Sequence, residues 1–132
     1  MFDRKGALDA YHRVSVEGGV AAADPKQLIT MLYDGALTHL ARARGFMQQR
    51  EPAAKGEAIS RVIDILGGLR GALDAEKGGE IAERLGALYD YMERRLTLAN
   101  IENRVEMVDE VSHLLNEIRS AWQAIPAGAE QG

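Results

Sequence analysis

Hydrophobic residues recur along most of this chain at steps of three and four positions, which places them on one face of a helix. Four such stripes can be traced, over residues 24–49, 53–73, 80–100 and 104–124. No segment with the alternating period of a strand competes with them. Because the helices are about 20–25 residues long and are joined by short polar connections, the pattern predicts an all-α, antiparallel up-down four-helix bundle.

Two of the predicted helix starts carry capping residues. Asp24 stands before a proline and three residues before Gln27, the arrangement of an N-cap, a first-turn proline and a capping box. Asn103 and Glu106 repeat this spacing, which predicts the start of the fourth helix. Asn100 is expected to cap or turn the chain between the third and fourth helices.

The pattern divides the chain into three parts. Residues 1–23 are predicted to be an arm, residues 24–125 the bundle, and residues 126–132 a disordered tail. Within the arm, Leu8 and Tyr11 share one side of a short helical turn. The arm therefore has apolar side chains that can fold back over a hydrophobic pocket, although a loose tail is the simpler interpretation.

Composition narrows the classes of function. The chain has 132 residues, which suits one domain, and a net charge of −4, whereas nucleic-acid-binding domains usually carry a basic surplus. It contains no cysteine, which excludes disulfides, thiolate metal sites and cysteine nucleophiles. No apolar run approaches the roughly 20 residues of a membrane span, and no signal peptide is evident. We therefore expect a cytosolic protein without membrane insertion and without a nucleic-acid partner.

The polar residues do not assemble a recognisable catalytic or metal-binding motif. The three histidines, His12, His39 and His113, lie far apart in the sequence. No phosphate-binding loop and no grouping of nucleophile, base and orienting residue is present. The sequence predicts no enzyme activity, no cofactor and no metal. Two alternatives stay open: a histidine phosphotransfer bundle that uses His39, and a purely structural subunit of an oligomer.

The first and third helices carry more apolar and aromatic residues than one core contact requires. Ile29, Met31 and Tyr33 widen the stripe of the first helix, and Tyr91 and Leu98 widen that of the third. Tyrosine is useful at a surface that is dry on one side and wet on the other. Ordinary bundle packing explains each residue singly, but the set as a whole favours an exposed groove for a partner.

One stretch of the third helix is distinctive: Leu88-Tyr89-Asp90-Tyr91-Met92, then Arg94-Arg95-Leu96 and Ala99-Asn100. Three further stretches agree with it in order, namely Tyr11–Glu17 with Asp24–Ala36, Lys55–Ile59 and Glu76–Ala82. Together they resemble the FliS family, the flagellin-export chaperones, over residues 8–125. The resemblance implies a cytosolic chaperone for flagellar type III secretion.

The resemblance also implies a client and a mechanism. The client is the C-terminal segment of flagellin, which is disordered in the monomer and must not polymerise before secretion. The arm caps the client's surface in the free protein, and export-gate components and regulatory proteins are possible further partners. Arg94 and Arg95 either hold client carboxylates or pair with acidic residues of the fourth helix. The partner-binding residues predicted on this basis are Leu8, Tyr11, Ile29, Met31, Tyr33, Ile65, Tyr89, Tyr91, Arg94, Arg95 and Leu98.

Overall fold

The computed structural model of the protein describes residues 24–73 and 75–125. Within these ranges it contains four helices and no strand, which confirms the predicted all-α bundle. The predictions for the arm and for the tail lie outside the described residues. The helices are α1 (Pro25–Gln48), α2 (Pro52–Gly71), α3 (Ala75–Glu102) and α4 (Val105–Ala124).

The helices pack in a ring in which each contacts its neighbours in the sequence. The four main interfaces are α1 with α2, α2 with α3, α3 with α4, and α4 with α1. Short connections force consecutive helices to run in opposite directions, so this is an up-down arrangement. The predicted stripes meet at the centre, where the largest fully buried side chains are Tyr89, Leu32, Leu40, Met47, Ile59, Ile65, Leu66, Met92, Leu96, Leu115, Val62 and Val108.

The start of α1 is capped as the sequence predicts. The backbone N–H of Gln27 donates to Asp24 Oδ1 at 2.8 Å, and the backbone N–H of Asp24 donates to Gln27 Oε1 at 3.2 Å. This reciprocal pair satisfies two donors that the helix leaves without intrahelical partners. At its other end α1 finishes at Gln48. Arg50, two residues further on, has a left-handed φ of 56°, and Glu51 N–H bonds to the carbonyl of Phe46 at 2.9 Å.

The fourth helix begins within one residue of the prediction, but the predicted N-cap is wrong. Arg104, not Asn103, occupies the N-cap of α4, and it makes no side-chain capping bond. Asn103 instead ends α3, with a φ of 53° and with Arg104 N–H bonded to the Ala99 carbonyl at 3.1 Å. Asparagine tolerates the left-handed region better than most residues, so it also serves as a helix stop. Asn100 is likewise not a cap, because α3 continues to Glu102.

A glycine marks the beginning of the regular part of α3. Gly79 has a φ of 54° and a ψ of −127°, so the chain bends there, between a first helical turn and the main body of the helix. A side chain at this position would be strained, because a positive φ is readily adopted only by glycine. Regular helical geometry in the main body of α3 therefore begins at residue 80 and continues to Glu102.

Candidate partner-binding site

Three of the predicted partner-binding residues lie inside the core. Tyr33, Ile65 and Tyr89 are only 3%, 2% and 1% exposed. The hydroxyl groups of Tyr33 and Tyr89 lie 2.7 Å apart and share a hydrogen bond. Burial raises the pKa of both phenols, so both stay neutral. A direct contact between these side chains and a partner would require the bundle to open.

Tyr91 and Arg95 belong to a polar cluster that joins α3 to α4. Tyr91 Oη donates to Glu110 Oε2 at 2.5 Å, and Arg95 Nε donates to Glu110 Oε1 at 2.7 Å. The Arg95 guanidinium also lies 5.9 Å from the centre of the Tyr91 ring, within cation–π range. Two roles were predicted for Arg95: binding a client carboxylate or pairing with an acidic residue of the fourth helix. In the structure Arg95 pairs with the fourth helix.

The Glu110 carboxylate is the electrostatic centre of this cluster. The hydrogen bond from Tyr91 and the bond and charge of Arg95 lower the pKa of Glu110. The same hydrogen bond raises the pKa of Tyr91, because it holds the phenol proton against an anion. All three side chains remain partly exposed. The cluster therefore stabilises the α3–α4 contact and forms part of the surface beside it.

Arg94 and Leu98 lie together in an open groove between α2 and α3. We call this feature the α2–α3 groove. The α3 residues that line the groove are spaced so that they lie on one face of the helix, and they form a continuous surface along it. The floor is apolar and partly buried, whereas Arg94 is exposed at its edge. The groove is lined by Ile63, Glu93, Arg94, Thr97, Leu98 and Ile101.

The groove contains residues that the sequence prediction missed. Ile101 is 75% exposed, one of the few large apolar side chains in the described residues that face solvent. The signal was present, because Ile101 follows Leu98 by three positions and Arg94 by seven. It was overlooked because the helix was expected to end at residue 100. Ile63 lay within the predicted α2 stripe, and only the packing places it at the groove.

The remaining predicted residues do not join this groove. Ile29 and Met31 are half-buried on α1, and Ile29 packs against the core. Leu8 and Tyr11 lie outside the described residues. The structure thus brings together Arg94 and Leu98 in the groove, Tyr91 and Arg95 beside α4, and Tyr33 and Tyr89 inside the core.

A second depression, which we call the α1–α2 recess, surrounds His39. Its lining residues are His39, Arg42, Phe46, Ala54, Glu57, Ala58 and Arg61. Burial lowers the pKa of His39, and the charges of Arg42 and Arg61 lower it further. The side chain considered as a phosphoacceptor is therefore half-buried and lies near two arginines.

These features define a class of protein: a four-helix bundle with an open amphipathic groove between α2 and α3. None of the helices in the described residues is long and apolar enough to cross a membrane. The chain matches the sequence model of the family described as "Flagellar protein FliS" over residues 7–129, and it belongs to that family. Family membership, rather than the setting of His39, decides against the phosphotransfer alternative.

Relatives from several bacteria resemble the chain over most of its length. It is 52% identical over 119 residues to the "Flagellar secretion chaperone FliS" of Salmonella typhimurium, covering 89% of this chain and 88% of that protein. It is 47% identical to the "Flagellar secretion chaperone FliSB" of Pseudomonas aeruginosa, with 90% and 94% covered. It is 33% identical to the Bacillus subtilis relative, with 81% and 79% covered.

Proposed function

We propose that this protein is a flagellar secretion chaperone that binds the C-terminal segment of flagellin in the cytosol. By holding that segment it prevents premature polymerisation and keeps flagellin competent for type III secretion. It acts by binding rather than by catalysis. The observation that carries the proposal is the likeness to relatives named as flagellar secretion chaperones, at up to 52% identity over 119 residues. Export-gate components and regulatory proteins are proposed as further partners.

The α2–α3 groove is the proposed principal client-binding surface. A disordered client can form an amphipathic helix as it binds and place its apolar side chains on Leu98 and Ile101. Arg94 at the edge is free to meet a client carboxylate, because no described acidic side chain holds it in an ion pair. Coupled folding of this kind consumes about 2–5 kcal/mol in ordering the client, which keeps binding reversible.

The arm, residues 1–23, is proposed to occupy the client surface in the free protein. Support comes from the family resemblance and from the apolar residues Leu8 and Tyr11. A chain that lacks residues 1–16 should then bind client more tightly than the full chain, or bind more of a surface-sensitive dye. No change in either quantity would contradict the placeholder role and leave client binding itself unaffected.

The client-binding proposal is tested by calorimetric titration with a flagellin C-terminal segment. The wild-type chain should bind it one-to-one, with a negative heat-capacity change, and should not bind an N-terminal flagellin segment. Ile101→Glu should weaken binding by about tenfold or more, because it places a charge among the apolar side chains that line the groove. Ile101 is 75% exposed, so the substitution leaves the bundle folded.

Ile81→Glu is the matched control. Ile81 is also an exposed isoleucine of α3, at 71%, but it lies outside the groove. The Ile81→Glu chain should bind the flagellin C-terminal segment with the same affinity as the wild-type chain. Equal weakening by both substitutions would remove the groove from the proposal, and absence of wild-type binding would contradict the chaperone function.

A further inference from the structure

The α1–α2 recess differs in charge from the other three helix interfaces of the ring. Each of those is bridged by an ion pair between helices, whereas none bridges α1 and α2 among the described residues. The bridging pairs are Arg44–Asp109 and Arg119–Asp34 between α1 and α4, Arg70–Asp90 between α2 and α3, and Arg95–Glu110 between α3 and α4.

The recess has more cations than carboxylates. Arg42 of α1 and Arg61 of α2 line it beside His39. Glu57 is the one acidic residue in the lining, and it holds Arg61 only loosely, at 3.5 Å between Oε1 and Nη2. No described carboxylate lies within ion-pairing distance of Arg42. The recess is therefore a positive site on a chain whose net charge is −4.

The imidazole of His39 lies in the same recess as the two arginines. Burial lowers the pKa of His39, and Arg42 and then Arg61 lower it further by charge repulsion. Both guanidinium groups therefore act on the same small volume as the imidazole. The side chains beside it are apolar, with Phe46 half-buried and Ala58 buried. The arrangement favours a ligand that carries a carboxylate next to an apolar side chain.

We propose that the α1–α2 recess is a second contact site for the client, and that it binds an acidic stretch of the flagellin polypeptide through Arg42 and Arg61. This rests on the proposed function. The occupant is a peptide because the recess is open and joins cations to an apolar surface, and it is acidic by charge complementarity. The α1–α2 recess and the α2–α3 groove flank the same helix, α2, so one client chain can cross α2 and occupy both.

The test is the salt dependence of client binding by charge-reversed chains. Arg42→Glu should weaken binding of the flagellin C-terminal segment by about tenfold at about 0.05 M salt. The difference from the wild-type chain should vanish near 1 M salt, where the screening length falls to about 3 Å. Arg42→Lys, which keeps the charge, should stay within about threefold of the wild-type affinity.

Arg84→Glu is the matched control for net charge. Arg84 is exposed on α3 and pairs with Glu80 one turn away, outside the recess. Its reversal changes the net charge by the same amount and should leave affinity within about twofold. If Arg84→Glu weakens binding as much as Arg42→Glu, the loss of affinity is caused by the change in net charge, and the proposal is wrong.

The imidazole of His39 provides a readout at the site itself. A client carboxylate in the recess favours the charged imidazolium, so client binding should raise the pKa of His39 measured by NMR titration. The charged groups that face it are Arg42 on its own helix and Glu57 and Arg61 on α2. A pKa that stays unchanged on binding would place the acidic stretch elsewhere.

The outcomes separate the two proposals. If the wild-type chain binds the segment and Arg42→Glu binds equally well at every salt concentration, the recess is not a client site, and the chaperone function stands. If the wild-type chain does not bind the segment, both proposals fail. Weaker binding by Arg42→Glu that salt abolishes, together with a raised His39 pKa in the complex, supports the second site.

Discussion

The hydroxyl groups of Tyr33 and Tyr89 satisfy each other within the core. They lie 2.7 Å apart, and both side chains are at most 3% exposed. The first and third helices carry more apolar and aromatic residues than one core contact requires, which suggested that their tyrosines contact a partner. Tyrosine also fills a core when its hydroxyl group finds a hydrogen-bond partner. Which of these applies depends on what faces each tyrosine across the bundle, and helical spacing does not specify that.

Removal of one hydroxyl should therefore destabilise the bundle. Tyr33→Phe leaves the Tyr89 hydroxyl buried without its partner, which should lower the free energy of unfolding by about 1–2 kcal/mol. The double variant with Tyr89→Phe should cost less than the sum of the single changes, because no polar group is then stranded. Urea unfolding of the three variants measures this. If the destabilisation of the double variant equals the sum of the two single changes, the two hydroxyl groups are not coupled.

Lys55 links the start of α2 to the end of α3. Its Nζ donates to the Asn100 carbonyl at 3.0 Å and to Asn103 Oδ1 at 3.3 Å, and the residue is 8% exposed. The last carbonyls of a helix lack intrahelical partners and carry partial negative charge, which an ammonium group complements. A side chain of one helix thus caps another, 45 positions away in the sequence.

Loss of this cap should destabilise the molecule. Lys55→Met keeps the aliphatic stem but removes the charged donor, which should lower the free energy of unfolding by about 1–3 kcal/mol. Lys26→Met is the matched control: Lys26 lies in the first turn of α1, and we expect a change within about 0.5 kcal/mol. Chemical denaturation compares the two. Equal destabilisation would mean that the ammonium group of Lys55 contributes nothing specific.

The contact between α3 and α4 should depend on pH through Glu110. Its pKa lies below the ordinary value of 4.5 in the folded chain, so its stabilising contribution is complete above 4.5 and is lost as the pH falls through the lowered pKa. Glu110→Gln should be less stable than the wild-type chain near pH 7, and the difference should shrink on acidification below 4.5.

Urea unfolding at several pH values measures this difference. Tyr91→Phe should also flatten the pH dependence, because it removes the hydrogen bond that contributes most to the lowered pKa of Glu110. A Glu110→Gln difference that stays constant across the acid range would show that the carboxylate gains nothing from Tyr91 and Arg95.

At the scale of the whole molecule, client binding should stabilise the bundle by mass action. With client at about 100 times its dissociation constant, the free energy of unfolding should rise by about 2.7 kcal/mol. If Ile101→Glu weakens binding tenfold, the same client concentration should add only about 1.4 kcal/mol. Thermal or chemical unfolding with and without the flagellin segment tests this, and equal stabilisation of both chains would contradict a role for the α2–α3 groove.

Helix periodicity predicted only part of the candidate site. It put Leu98 with Tyr91 on the widened stripe of the third helix, whereas the structure has Leu98 with Arg94 in the α2–α3 groove and Tyr91 bonded to Glu110 of α4. Ile101 was missed because the end of α3 depends on Asn103 in a left-handed conformation, and Asn103 has the same local signature as a helix start. Ile65 was assigned to the surface, although packing puts it in the core.

The sequence by itself determined the four amphipathic helices, the cap at Asp24 and the family, because these depend on local spacing and on residue identity. The tertiary structure decided which residues meet across helices: Tyr33 with Tyr89, Arg95 with Glu110, and Lys55 with the end of α3. The physical reason is that periodicity specifies the face on which a residue lies. Burial, ion pairing and the shape of a groove depend on what another helix places opposite that face.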